Sequence, residues 1–246
     1  MRTGEPPAGF SRRTLAEEVF VVLLLSLLAS AVYAVLSLLE APVRGATVAS
    51  ANQSTQLARQ MAGFVFGLAP VLLVLHLVRR SGEGADGIGL GLDRPRQDLL
   101  RGLGLAVVVG AAGVGVYLAA VELGVNRFVV PAPPLGHWWT LPVLVLNAAE
   151  AALLEEIIVL GYLLTRLRQL GWSPAAAIAA SALLRASYHL YQGWGGFAGN
   201  LAMGLLFAAL FLRWRRTWPF VICHFLLDVG AGIGYLVFRE RLPGFS

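Results

Sequence analysis

The chain has 246 residues, of which 57% are hydrophobic and only 13% charged, with a mean hydropathy of +0.72. Soluble domains carry about a quarter charged residues, so this composition cannot coat a water-facing surface and is that of an integral membrane protein. All nineteen basic residues are arginine and the formal charge is +5, but they stand in short clusters between apolar runs. That is the pattern of loop charges that orient membrane spans, not of a nucleic-acid surface. The single cysteine, Cys223, excludes an intrachain disulfide and a cysteine-based metal cluster.

A polar segment, residues 1–18, carries Arg2, Arg12 and Arg13 and precedes the first apolar run. A helix needs about 20 apolar residues to cross the hydrocarbon core. Seven stretches qualify: Val19–Leu39, Met61–Val78, Leu99–Leu123, Leu141–Thr165, Pro174–Tyr191, Phe197–Leu212 and Trp218–Phe238. Ala31-Val32-Tyr33-Ala34 resembles a signal cleavage site, but the apolar run continues past it and reads as a signal anchor. Between the second and third spans, Gly82–Leu92 contains Gly87-Ile88-Gly89-Leu90-Gly91. No strand–helix unit surrounds it, so it reads as a flexible cytoplasmic loop closed by Asp93 or Asp98, not as a nucleotide-binding turn. Ala106, Gly110 and Gly115 in the third span suit close helix packing.

Arginine counts orient the spans. With the N-terminus in the cytoplasm, thirteen arginines fall inside and five outside, leaving Arg185 within a span. Trp138, Trp139, Trp172, Trp194, Trp214 and Trp218 all fall at predicted span ends, where indoles favour the interface. The expected fold is an all-α, polytopic membrane bundle of seven helices, or eight if a further segment lies near Gly45–Arg59 or Gly82–Asp98. It forms one domain over residues 19–246 in the cell (plasma) membrane, with residues 1–18 cytoplasmic and the C-terminus outside.

Ionisable groups inside a span are costly and mark function by default. Here they concentrate in three spans: Asn147, Glu150, Glu155 and Glu156 in the fourth, Arg185 and His189 in the fifth, His224 and Asp228 in the seventh. Helix rise puts Glu155 and His189 each roughly 22 Å from the cytoplasmic end, with His224 and Asp228 roughly 10 and 16 Å from it, close enough to share an interior layer. His224 and Asp228 share a helix face, as do Arg185 and His189. Glu155 and Glu156, being adjacent, point about 100° apart, so only one is central. Carboxylates that activate water, with imidazoles that bind metal or steady an oxyanion, make a hydrolytic layer. Buried ion pairs joining helices, or a transporter's proton relay, would use the same residue types.

The order Glu155-Glu156, then His189, then His224-x-x-x-Asp228 resembles the CPBP intramembrane proteases, the CAAX prenyl endopeptidases and bacteriocin-processing (Abi) enzymes. The resemblance covers about residues 147–232, with a protease-like core at about 140–238; Gly89-Leu90-Gly91-Leu92 followed by Asp93-Arg94 matches only in style. It implies a helical intramembrane fold and peptide-bond cleavage by activated water. Glu155 would activate the water with His189, His224 and Asp228 would line the opposite side as oxyanion support or metal ligands, and Glu156 would orient its neighbours. A metalloprotease of this kind would hold zinc or another divalent metal on Glu155, His189, His224 and Asp228; a metal-free glutamate protease is the other form. The family pattern is Glu-Glu-x-x-x-Arg and Phe-x-x-x-His, whereas this chain has Leu160 for the arginine and Arg185 for the phenylalanine. Arg185 would then supply the charge that Leu160 cannot, pairing with Glu156. The implied partners are a membrane-anchored peptide or protein substrate and the lipid bilayer, with no nucleic acid and no defined oligomeric state. The alternative is a non-enzymatic membrane protein: a degenerate protease fold in immunity or scaffolding, or a small transporter.

Other polar residues read as local. His76 belongs to an interface, His137 to an outside loop, and Glu122 to water at a span end. Cys223 reads as packing, and Asn200 and Gln192 as interhelical hydrogen bonds. Glu150 reads equally as support for the site or as a bond to another helix.

Overall fold

A computed structural model of the protein describes residues 5–39, 53–123 and 136–238, and these contain helices and no strand. The helix α1 (Arg12–Leu24) starts on Ser11, whose hydroxyl accepts a hydrogen bond from the Thr14 amide at 3.0 Å. It meets α2 (Leu27–Leu39) at a 50° bend, where the Ser26 hydroxyl donates to the Val22 carbonyl at 2.6 Å. Next come α3 (Gln53–Gly67) and α4 (Ala69–Arg80), which breaks from α3 at Pro70. The chain continues through α5 (Pro95–Glu122), α6 (Thr140–Glu155), a π-helix (Glu156–Leu164) and α7 (Thr165–Gln169). It closes with α8 (Pro174–Tyr188), capped by the Ser173 hydroxyl, then α9 (Trp194–Trp214) and α10 (Trp218–Phe238).

Among the described residues, four helices are long and apolar enough to cross a membrane: Thr55–Arg80, Pro95–Val116, Trp194–Trp214 and Trp218–Phe238. The bent α1–α2 pair makes a fifth if it acts as one span. The expected fourth and fifth spans take other forms. Leu141–Thr165 lies in a rod, α6–π–α7, whose centre is not α-helical. Pro174–Tyr191 stops being α-helical at Tyr188, because a 3-10 turn (Leu190–Gln192) and Gly193, at φ 90°, swing the chain into α9. Its 15 residues reach roughly 22 Å, short of the ~30 Å core.

The rod is the pole of the bundle. All nine residues of the π-helix are buried, with α4, α8, α9 and α10 packed around it. Close approaches set the neighbours: a Cβ on Gly102 would lie 2.7 Å from Ile222 and 3.0 Å from the Pro219 carbonyl, so α5 and α10 touch backbone to side chain.

The Gly82–Leu92 segment is not a flexible loop; it is built into the core. Its 3-10 turn (Ala85–Ile88) buries Ile88 completely, and a Cβ on Gly161 would come within 2.9 Å of the Ile88 carbonyl. That carbonyl accepts the Thr217 hydroxyl at 2.6 Å, while the Thr217 amide donates to Gly89 O at 2.8 Å and the Trp218 indole to Leu90 O at 3.2 Å. Gly89 sits at φ 80°, a conformation open to glycine without strain. Arg216 clasps the segment's end, binding Asp93, Asp98 and the Gly91 carbonyl. At the other end the fully buried Arg166 guanidinium binds Glu83, Gln169 at 2.7 Å and Ser81 at 3.2 Å. The indoles also divide. Trp138, Trp172 and Trp194 are exposed, but Trp139 is buried and stacked on His137, and Trp214 stacks on Phe220.

Ile88→Ala should lower stability in detergent by about 2–5 kcal/mol, the cost of a core cavity, while Val107→Ala on the exposed face of α5 should change it little. Thermal unfolding of the two variants checks this. The hydrogen bond from Arg216, and then its own backbone, hold the Asp93 carboxyl below its ordinary 3.8. A folded value below the unfolded one means the contribution is present above the unfolded value and lost as pH falls through the folded one. Asp93→Asn should therefore lower stability near neutral pH and flatten its decline in acid, read from unfolding midpoints against pH.

Candidate active site

The junction of α6 and the π-helix falls between two acids: Glu155 is the last α-helical residue and Glu156 the first of the π turn. The β-branched run Ile157-Ile158-Val159 crowds an α-helix, and π segments recur at functional sites. The Ser181 hydroxyl on α8 donates to the Val159 carbonyl at 3.3 Å, tying the π turn to its neighbour.

Glu156 is fully buried. Its Oε1 accepts from Arg185 Nη1 at 2.6 Å and lies 2.8 Å from His224 Nδ1. One turn along α10, Asp228 Oδ2 stands 3.4 Å from His224 Nε2, so both ring nitrogens of His224 face carboxylate oxygens. Glu155 sits nearer the open side, with its side chain 14% exposed. Its Oε2 accepts the Tyr188 hydroxyl at 2.8 Å and lies 3.7 Å from Arg185 Nη2. His189 follows directly on the end of α8. Its Nδ1 donates to the Arg185 carbonyl at 3.0 Å, which leaves Nε2 with its lone pair.

Arg185 is the hub, and α9 makes room for it. A Cβ on Gly204 would lie 2.9 Å from Ala182 Cα, so glycine there lets α9 close onto α8 beside Arg185. The Arg185 guanidinium lies 5.6 Å from the centre of the Phe207 ring, a cation–π contact. Leu160 is buried among apolar neighbours.

Oxygen and nitrogen atoms of Glu155, Glu156 and His224 lie within 4.8 Å of one another, so by spacing alone these three could hold a metal ion. His189 and Asp228 are not in that group among the described residues. A permanent guanidinium already stands among the three, 2.6 Å from Glu156, 3.4 Å from His224 and 3.7 Å from Glu155. A divalent cation there would be repelled by Arg185 and would have to break its pair with Glu156. The donors present do not fit a metal while Arg185 holds this position.

Other candidates serve the helices. Glu150 packs against Gly67 of α3, and Asn147 Nδ2 donates to Gln60 Oε1 at 3.2 Å, so both face α3. Asn200 Nδ2 donates to the Gly196 carbonyl at 2.9 Å and to Gln192 Oε1 at 3.4 Å. Cys223 is buried, while His76 is exposed. Tyr188 escaped the sequence reading, because an aromatic in an apolar helix looks like packing; its adjacency to His189 was the one available signal.

Residues 137–230 match the family described as Type II CAAX prenyl endopeptidase Rce1-like. No curated protein and no solved structure matches the chain.

Arg185→Leu should destabilise the protein by about 3–5 kcal/mol, since it leaves Glu156 buried without its cation. Thermal unfolding in detergent measures this, and an unchanged midpoint would show that the pair does not hold the helices together.

Proposed function

We propose that this chain, of the CAAX prenyl endopeptidase family over residues 137–230, is an intramembrane endopeptidase that hydrolyses a membrane-anchored peptide or protein without a metal. The observation that carries the reading is the unequal treatment of the two glutamates. Glu156 is fully buried: Arg185 and His224 both meet its Oε1, and its Oε2 is sealed from solvent without a hydrogen bond. Glu155 keeps one oxygen, Oε1, with no hydrogen bond among the described residues, on the more open side of the cluster.

In the mechanism we propose, Glu155 takes a proton from water as the water oxygen attacks the scissile carbonyl carbon. His189 Nε2, held by the Nδ1 bond to its own helix, accepts a second hydrogen bond from that water. The carbonyl π-electrons move onto oxygen, and the resulting oxyanion lies near the Arg185 guanidinium, which Glu156 orients from behind while His224 is held between Glu156 and Asp228. The proton on Glu155 then passes to the leaving amine as the C–N bond breaks. Arg185 supplies the fixed positive charge that a metal would otherwise bring, so no step needs one.

The proposed setting is a single domain in the cell membrane with a cytoplasmic N-terminus. The α6–π–α7 rod and α8 are also embedded there, bringing the helices that cross or enter the bilayer to seven. A second reading draws on the same network: buried ion pairs that join α8 and α10 to the π-helix also suit a non-enzymatic scaffold.

Cleavage of a peptide library by the purified protein separates the two. Glu155→Ala and His189→Ala should each lower the rate by at least about 100-fold while the helical content persists, and chelators should leave it unchanged. Equal cleavage by the variants would remove the proposal, and loss of activity on chelation with recovery on adding zinc would replace its metal-free form.

A further inference from the structure

We infer that Tyr188 is a positioning residue of this reaction: its hydroxyl sets the plane of the Glu155 carboxylate and keeps that carboxylate from collapsing onto Arg185. The inference rests on the reading of Glu155 as the water-activating group and adds a residue that neither the motifs nor the family match assigns.

Tyr188 is the last α-helical residue of α8 and is 5% exposed. Its hydroxyl donates to Glu155 Oε2 at 2.8 Å, and its ring lies 4.7 Å from the adjacent His189 ring. One side chain therefore contacts both groups assigned to the attacking water. A phenylalanine would fill the same space, so packing alone does not call for the hydroxyl.

The need comes from Arg185. Its Nη2 stands 3.7 Å from Glu155 Oε2, beyond a good hydrogen bond, while Nη1 is 2.6 Å from Glu156. In a low-dielectric interior an anion 3.7 Å from a guanidinium is drawn inward. A second tight pair with Arg185 would neutralise Glu155 and turn it from the open side. The phenol donor competes for the same oxygen, so Oε2 is anchored between Tyr188 and Arg185 and Oε1 is left to face water. Two restraints on one carboxylate oxygen fix the direction of the other, and that direction governs whether a proton can be taken from a water on the attack path.

The test compares Tyr188→Phe with the parent protein in detergent, using the best peptide found in the library. The turnover number should fall about 10- to 100-fold with KM unchanged. In infrared difference spectra the carboxylate bands that vanish in Glu155→Gln should shift in frequency in Tyr188→Phe, and the melting midpoint and helical content should be kept. A parental turnover number, a change confined to KM, unshifted Glu155 bands, or a Tyr188→Phe protein that does not fold would each overturn the assignment. If Glu155→Gln cleaves as fast as the parent, the function itself falls, whatever Tyr188→Phe does. Loss in Glu155→Gln with no change in Tyr188→Phe overturns only the role of Tyr188.

Discussion

A guanidinium buried beneath two glutamates is the constraint on which this structure turns. Arg185 has 1% of its side chain exposed and Glu156 has none, so neither charge can recover its hydration except through the other. Taking both from water is expensive, and the 2.6 Å contact offsets that cost only if the helices carrying the two charges are held in one register. The surrounding features follow from that demand. Gly204 lets α9 pack closely on α8 beside the arginine, Phe207 offers its ring face, and His224 meets the same Glu156 oxygen as Arg185. Fixed in this way, the pair leaves Glu155 as the acid not wholly consumed by structure.

The π turn gives the pair its place. Nine buried residues without α-helical spacing separate α6 from α7, and the departure begins at Glu156. Widening the helix there lets two adjacent carboxylates serve different partners: Glu156 the arginine and His224, Glu155 the tyrosine. On the far side of the same turn, Gly161 admits the Ile88 carbonyl and Thr217 ties it down. The segment between α4 and α5 thus buttresses the back of the rod whose front carries the polar cluster. Arg166 and Arg216 hold the two ends of that segment.

Arg185 also bears on the chemistry available. Three ligating side chains lie close enough together for a metal by spacing alone, but the Arg185 guanidinium stands among them. With the guanidinium there, positive charge is already present and fixed by its bond to Glu156. Electrostatic stabilisation of a developing oxyanion depends on such preorganised charge, not on its source. Arg185 on α8 brings this charge to Glu156, while Leu160 on the π-helix is buried among apolar neighbours and brings none.

Composition and hydropathy by themselves determined that this is a helical membrane protein, because burying so many apolar residues has no other outlet in a chain this size. Motif order marked the helices that bear the polar layer, because ionisable groups in apolar helices are too costly to be incidental. Only the tertiary structure decided the rest. The glycine-rich segment read as a loop because the partners of its carbonyls, Thr217 and Trp218, lie more than a hundred residues away. The end of α8 at Tyr188 depended on how Gly193 turns the chain, and the hydroxyl on Glu155 on which way that tyrosine points. Periodicity reports which face of a helix is apolar; which atom a side chain meets depends on the rotation and approach of its neighbours, and packing alone sets those.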